Sequence, residues 1–169
     1  MNVPRTTLRT ARPARAAAAA VALAALATAC GGHPAARAAP QPSSSGPVGQ
    51  VHVTGPDIDL TITHAVAHLD ASGTGTLTMT VRNAGGAPEH LDMVATPDSG
   101  RGKLVGGPGD SNGSMTTAGI LFTPGSTVTF DAPGPTVRLT RAHVGTGHVL
   151  PLKLEFGVAG LVELSATVA

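Results

Sequence analysis

Aromatic side chains are scarce in this chain of 169 residues, which has no Trp, no Tyr and only three Phe. We therefore predict that its hydrophobic core is aliphatic. The same scarcity leaves almost nothing to stack on nucleic-acid bases, and beyond the Arg-rich residues 1–30 Lys and Arg form no basic patch along the sequence. Because nucleic-acid recognition depends on such features, we expect no nucleic-acid partner.

Cysteine is nearly absent as well, since Cys30 is the only one and cannot form an internal disulfide. It follows an Arg-rich start without acidic residues and an apolar run over 16–27 that is too short to span a bilayer comfortably. This arrangement is typical of a secretory signal peptide. We assign residues 1–30 to a signal peptide with a lipobox-like end, which predicts an extracytoplasmic protein.

Cys30 resembles the lipidated cysteine of a bacterial lipobox, because the small residues Thr28 and Ala29 precede it. Leu26 lies one position further from the cysteine than is usual. We predict that Cys30 is lipidated and that the lipid anchors the protein to the outer face of the cell membrane without a spanning helix. The alternative is an ordinary signal peptide cleaved nearby, with Cys30 lost or incidental.

Residues 31–50 lack apolar periodicity and consist mostly of Gly, Ala, Pro and Ser. Such a composition predicts a flexible linker between the anchor and a folded domain. The single His33 within it is expected to be solvated.

From residue 51 onward, apolar and polar residues alternate, and turn-forming residues separate the runs. Eight strands are predicted, over residues 58–70, 75–83, 90–96, 118–123, 126–131, 136–140, 149–157 and 161–168. The alternation places Val66, Met93 and Ala95 on the core side of their strands. Eight or so short strands without a helical stretch indicate an all-β domain over 51–169, an antiparallel β-sandwich or barrel.

Three segments of this domain resemble the periplasmic copper chaperone family PCu(A)C. TITHAVAHLD followed by GTLTMTVRNAGG is similar to its paired first strands and NxG turn. GILFTPGSTVTFDAPG is similar to its GIxIPAGGTVxLxPGG segment, and VLPLKLEFGVAGLVELSATV is similar to its closing hairpin. The resemblance covers residues 58–168. It implies a cupredoxin-like β-barrel exposing a Cu(I) site of His and Met side chains, which are soft ligands suited to this ion.

The segment GILFTPGSTVTFDAPG aligns with the family without gaps and locates the ligand positions. The family's final His and Met fall on Thr136 and Arg138. The middle Met falls on Ser114, or on Met115 after a one-residue shift, and the first ligand falls within 103–105. At best one ligand is kept, so the resemblance implies a degenerate copper site.

Arg138 opposes copper in addition to omitting a ligand. Val137 and Leu139 are expected to face the core, so Arg138 would lie on the face where relatives hold the metal. A guanidinium offers no lone pair. Its charge a few ångströms from a copper cation costs about 1–4 kcal/mol.

Other residues are partial alternatives for a metal. Met115, expected in a loop, is the best single candidate for a residual metal contact. His143 and His148 bracket a Gly turn and form a candidate two-His site for Zn²⁺ or Cu²⁺. His64 and His68 share a strand face about 13 Å apart, which is too far to chelate one ion without a bulge.

Nothing in the sequence indicates an enzyme. No Ser lies in a G-x-S-x-G context, no P-loop is present, and Glu89 and Asp92 are expected to be solvated turn carboxylates. We predict a membrane-anchored lipoprotein with a copper-chaperone-like domain whose metal site is degenerate. The alternative is a metal-free envelope module that binds an anionic ligand or an envelope protein. No cofactor follows from the residues themselves, and copper is implied by the resemblance alone.

Overall fold

The computed structural model describes residues 46–169. These residues form eleven strands and a single 3-10 turn over Pro97–Ser99. The strands are β1 (Val51–Gly55), β2 (Ile58–Leu69), β3 (Gly75–Asn83), β4 (Glu89–Ala95), β5 (Arg101–Val105), β6 (Met115–Thr116), β7 (Gly119–Phe122), β8 (Thr127–Phe130), β9 (Thr136–Thr140), β10 (Val149–Phe156) and β11 (Gly160–Val168). The all-β prediction is confirmed. Within these residues no helix has the length and hydrophobicity to cross a membrane.

Seven strands close into a barrel in the order β2-β11-β10-β4-β5-β9-β3, and the pairing of β3 with β2 completes the ring. Neighbours in the ring are antiparallel except β11 and β2, which pair in parallel through Thr167 with Val66 and Val168 with Ala67. Strands β1 and β8 pair with β2 and β3, and β7 joins β4 to the short β6. The cupredoxin-like barrel is confirmed, with one parallel pairing that the sequence did not indicate.

All eight predicted strands are present, with ends within one residue of the prediction, whereas β1, β5 and β6 were not predicted. Strand β5 lies in a Gly-rich stretch that favours a loop. Gly102 is nevertheless a strand residue, because a Cβ there would lie 2.7 Å from the Val94 Cβ and 2.9 Å from a Val137 methyl. The missing side chain lets β5 pack between β4 and β9.

A β-bulge in β2 reverses the alternation of its side chains. The pairing with β3 shifts between Thr63 and Val66, and His64 adopts a φ of 54°. The extra residue moves the core side from even to odd positions, so Ala65 and Ala67 are buried and Val66 is only partly buried. The prediction that Val66 faces the core is wrong for this reason.

A second irregularity has the same effect in β4. Glu155 of β10 pairs with Met93, but the next residue pairs with Leu91, so one residue of β4 is skipped. Val94 is consequently buried, while Met93 and Ala95 are only partly buried. The predicted inward positions of Met93 and Ala95 are corrected accordingly.

The core fills the barrel and is mainly aliphatic, but all three Phe of the chain are buried in it. The ring of Phe122 lies 6.1 Å from those of Phe130 and Phe156, centroid to centroid. The aliphatic prediction therefore missed a central aromatic cluster, which supplies large apolar area per residue. Among residues 46–169, the buried apolar residues lie between Val51 and Ala166 and form one core cluster.

Candidate functional site

Strand β9 presents Thr136, Arg138 and Thr140 outward, because Val137 and Leu139 alternate with them and are fully buried. The prediction that Val137 and Leu139 point to the core is confirmed. Strand β5 pairs with β9 along its whole length, which extends the outward surface by three more side chains. We call the six outward residues the β5–β9 face; they are the paired residues Arg101 and Thr140, Lys103 and Arg138, and Val105 and Thr136.

A groove of about 470 Å³ runs over this face and the neighbouring end of β3. Thr76 of β3 lies directly opposite Arg138, on the side away from Lys103. The groove is lined by Thr74, Gly75, Thr76, Lys103, Thr136, Arg138, Leu139 and Thr140. Its lining therefore combines two cationic side chains with four hydroxyl groups.

The β5–β9 face is cationic although the surrounding domain is acidic. Residues 46–169 contain six Lys or Arg and ten Asp or Glu, a net charge of −4. Three of those six cations, Arg101, Lys103 and Arg138, lie on this face, which has no acidic residue. The sequence showed no basic patch because these cations are far apart along the chain, and the pairing of β5 with β9 creates one.

Ion pairs do not neutralise the face. Within residues 46–169 the ion pairs lie elsewhere, between His52 and Asp59 and between Lys153 and Glu163. Lys103 and Arg138 are both exposed. Their charges therefore face solvent without a carboxylate partner in the described part of the chain.

Met115 lies beside the end of β5. It belongs to the two-residue strand β6 and not to a loop as predicted, and it is 45% exposed. The preceding Ser114 is buried, so only Met115 of these two residues presents its side chain to solvent. A Cβ on Gly106 would lie 2.7 Å from the Met115 Cβ, which places the residue after Val105 directly against β6.

The structure thus brings together the positions that the resemblance assigns to copper ligands. Lys103 and Val105 pair with Arg138 and Thr136, and Met115 adjoins the end of the same strand. A protonated Lys and an Arg have no lone pair to donate to a metal. Met115 is therefore the one soft ligand among these positions.

His143 and His148 lie in the loop between β9 and β10, and both are exposed. His148 has a φ of 56°, and its carbonyl accepts a hydrogen bond of 2.9 Å from the Val168 N–H. The Gly145 N–H donates to the Val149 carbonyl at 3.1 Å, which forms the predicted turn between the two histidines. Their use as a two-His metal site stays a prediction.

His64 and His68 are exposed on β2, as predicted. A bulge, without which the two residues would be too far apart to chelate one ion, is present between Thr63 and Val66. A ring nitrogen of His64 lies 3.0 Å from the Thr63 hydroxyl. Among residues 46–169, no group of three His, Cys, Asp or Glu side chains is arranged to hold a metal ion.

Glu89 is a polar residue whose role the sequence did not indicate. It is buried and not a solvated turn carboxylate as predicted. One carboxylate oxygen accepts hydrogen bonds from the His90 N–H at 2.8 Å and the Val158 N–H at 2.9 Å, and the other accepts from the Ala159 N–H at 2.7 Å. Glu89 thus joins the start of β4 to the turn between β10 and β11.

Cys30 and residues 31–45 lie outside the described residues, so lipidation and most of the linker stay predictions. The last residues of the predicted linker contact the barrel. The Gly49 N–H donates to the Ser165 carbonyl at 2.6 Å, and the Gly49 carbonyl accepts from the Ala65 N–H at 3.1 Å. The chain therefore enters the barrel beside β2 and β11.

Comparison with known proteins gives matches among solved structures. No protein-family profile and no curated protein matches the chain. The copper-bound PCuAC domain from PmoF2 is 23% identical with a TM-score of 0.54, and the match covers 69% of this chain and 95% of that one. The apo PCuAC domain from PmoF1 is 24% identical with a TM-score of 0.53, covering 65% and 92% respectively. The apo PmoF2 PCuAC domain is 23% identical with a TM-score of 0.54, covering 69% and 92%. The barrel of this chain therefore has a PCuAC-like fold, as its sequence motifs predicted.

Proposed function

We propose that this chain is an exported cell-envelope lipoprotein whose PCuAC-like domain has lost the Cu(I) site of the PCu(A)C type. In this proposal the domain is a non-enzymatic accessory module that binds an anionic ligand or an envelope partner through the β5–β9 face. One observation carries the proposal. Arg138, at the position that the resemblance assigns to the last copper ligand, pairs directly with Lys103, which lies in the segment 103–105 assigned to the first ligand.

The chemistry of these positions disfavours Cu(I). Soft thioether and imidazole ligands select this ion, and Met115 is one thioether without a second soft ligand at the other positions. Each neighbouring cation adds repulsion of about 1–4 kcal/mol at effective dielectrics between water and a protein surface. Both charges therefore act against metal binding by a single exposed thioether.

Copper transfer is the second candidate, and one observation favours it. A match with the same fold is a PCuAC domain solved with copper bound. Because a shared fold does not establish a shared site, that match supports the architecture and leaves the ligand set to be tested.

A Cu(I) titration against a competing chelator distinguishes the two candidates. We expect residues 46–169 to compete for Cu(I) no better than a scrambled-sequence control. The double variant Thr136→His/Arg138→Met restores an imidazole and a second thioether on the face that Met115 adjoins, so it should gain Cu(I) affinity. Adding Met115→Ala to the double variant should remove that gain.

The wild-type result decides the proposal. Tight Cu(I) binding by the wild-type domain that is lost in Met115→Ala would support copper transfer as the function and refute the proposal. Binding that is lost in His143→Ala or His148→Ala, and kept in Met115→Ala, would assign a metal buffer to the loop between β9 and β10 instead.

The lipid anchor is tested separately. The proposal expects wild-type protein in the membrane fraction and a Cys30→Ala variant released from it, since one lipidated cysteine supplies the anchor. Equal membrane retention of both proteins would exclude Cys30 as the attachment point.

A further inference from the structure

The pairing of Lys103 with Arg138 is electrostatically unfavourable by itself. Directly opposed residues of antiparallel strands have Cα atoms about 4.5–5.5 Å apart, and like charges in such pairs are destabilising. All ten Asp and Glu of the chain lie within 57–163, inside the described residues, and none forms an ion pair with either cation. No carboxylate of this chain relieves the repulsion, whereas an external anion would.

Hydroxyl groups complete the surroundings of the two cations. Thr76 lies opposite Arg138 on β3, and Thr136 precedes Arg138 by two positions on the same side of β9. Among residues 46–169, neither hydroxyl has a hydrogen bond to another protein group. The groove therefore presents two positive charges and at least two uncommitted hydroxyl groups to one space of about 470 Å³.

We propose that this groove is a binding site for a phosphate group. A guanidinium donates two parallel hydrogen bonds to a phosphate, and an ammonium adds a compact charge. A phosphate monoester carries a charge of about −1.5 to −2 near neutral pH, which matches the two cations better than a single carboxylate does. The phosphate belongs either to a small soluble molecule or to a phospholipid headgroup.

This inference rests on the proposed function, since it fills the β5–β9 face with an anion in place of a copper cation. The acidic remainder of the domain is consistent with a local site. With a net charge of −4 over residues 46–169, general attraction of the domain for anions is weak. Binding of phosphate would therefore depend on the groove and not on the domain as a whole.

Inorganic phosphate is the first probe, added to residues 46–169 while backbone amide NMR shifts are recorded. We expect saturable shifts at β5, β9 and the start of β3. Lys103→Gln and Arg138→Gln should each weaken binding about tenfold or more, because each removes a charge-assisted hydrogen bond.

Arg82→Gln is the matched control. Arg82 is an exposed strand residue of β3 that lies outside the groove, opposite Thr61 and Thr127. The substitution removes one positive charge, as Arg138→Gln does, and should leave phosphate binding unchanged. An equal loss in Arg82→Gln would show non-specific attraction and would overturn the site.

Vesicles distinguish the two sources of the phosphate. Phosphatidylcholine vesicles with and without phosphatidic acid, whose phosphate is a monoester, are sedimented with the same domain and variants. Binding that requires phosphatidic acid and is lost in Arg138→Gln, but not in Arg82→Gln, assigns the phosphate to a lipid. Saturable binding of inorganic phosphate without vesicle binding assigns it to a soluble ligand, and the absence of both overturns the inference.

The phosphate experiments are run in the presence of a Cu(I) chelator so that they are read independently of the metal titration. Tight Cu(I) binding in the separate titration would refute the proposed function. If the domain binds neither phosphate nor vesicles and also does not bind Cu(I), this inference is refuted and the proposed function is not.

Discussion

Two polar regions of the barrel differ in whether the protein itself supplies the hydrogen-bond or ion-pair partners of their side chains. At the start of β4, the buried carboxylate of Glu89 accepts three backbone hydrogen bonds. On the β5–β9 face, Lys103 and Arg138 are exposed and have no ion-pair partner in residues 46–169. A buried polar group without partners is costly, whereas an exposed cation is satisfied by water. The first region therefore belongs to the stability of the fold, and the second is free to meet a ligand.

Asn83 is a second buried polar residue whose side-chain hydrogen bonds are all made within the protein. Its side-chain amide donates to the Ala87 carbonyl at 2.8 Å and to the Phe122 carbonyl at 3.1 Å, and its oxygen accepts from the Gly85 N–H at 3.0 Å. The NxG turn of the sequence is thus a structural device that closes the end of β3 against β7. Hydrogen bonds within the protein account for the Asn83 side chain, so no ligand is needed to explain it.

The largest expected effect is on the buried side of this comparison. Glu89→Ala should lower the free energy of unfolding by about 3 kcal/mol, because it leaves the N–H groups of Val158 and Ala159 without an acceptor. Glu89→Gln keeps one acceptor oxygen and should cost less. Urea denaturation measures both, with the exposed Glu155→Ala as the control. A loss in Glu89→Ala no larger than in Glu155→Ala would contradict the structural role.

A much smaller effect of opposite sign is expected on the cationic face. Lys103→Gln and Arg138→Gln should each leave the free energy of unfolding unchanged or raise it by about 0.5 kcal/mol, because each removes repulsion between paired like charges. Arg82→Gln, an exposed Arg outside the pair, should give no gain in the same urea experiment. Destabilisation of the size expected for Glu89→Ala would mean that the cations hold the barrel together.

The smallest effect concerns pH and lies in the turn between β2 and β3. The hydroxyl of Ser72 donates to the Asp70 carboxylate at 2.6 Å, and the N–H groups of Ser72 and Thr74 donate at 2.8 and 3.0 Å. The side-chain bond from Ser72, followed by the backbone bonds, lowers the pKa of Asp70 below its ordinary value of 3.8. A carboxyl whose pKa is lower in the folded state stabilises the fold above the unfolded-state pKa.

That stabilisation is lost as the pH falls through the lowered pKa of Asp70. An Asp70→Asn variant should therefore show a flatter decline in stability below about pH 4 than the wild type. Urea midpoints measured from neutral to acidic pH test this, with Asp57→Asn as the control in another exposed turn. Parallel profiles for Asp70→Asn and the wild type would exclude the contribution of this turn.

Local patterns predicted much of the fold. Strand β9 begins and ends where the alternation predicts it, because a regular strand needs only one buried face with period two. Alternation failed to predict the orientation of Val66 and Met93, because a bulge changes which residues face the core and the polar–apolar pattern does not show it. It also failed for Glu89, whose partner Val158 lies 69 residues further along the chain.

The candidate site was only partly predictable for a related reason. The motifs located Thr136 and Arg138, and the alternation with Val137 and Leu139 predicted their outward orientation, which β9 confirms. The sequence placed Met115 in a loop and predicted no strand over residues 101–105. Glycine favours turns, and it is found in a strand where close neighbours leave no room for a side chain. Gly102 has such neighbours in Val94 and Val137.

The sequence by itself determined the strands of regular alternation, the turns between them and the PCuAC-like architecture, since these depend on local periodicity and on motifs read in order. Only the tertiary structure decided that Lys103 lies opposite Arg138 and that Glu89 is buried. Register and barrel closure arise from hydrogen bonds between segments distant in the chain, and those bonds alone determine which charges become neighbours.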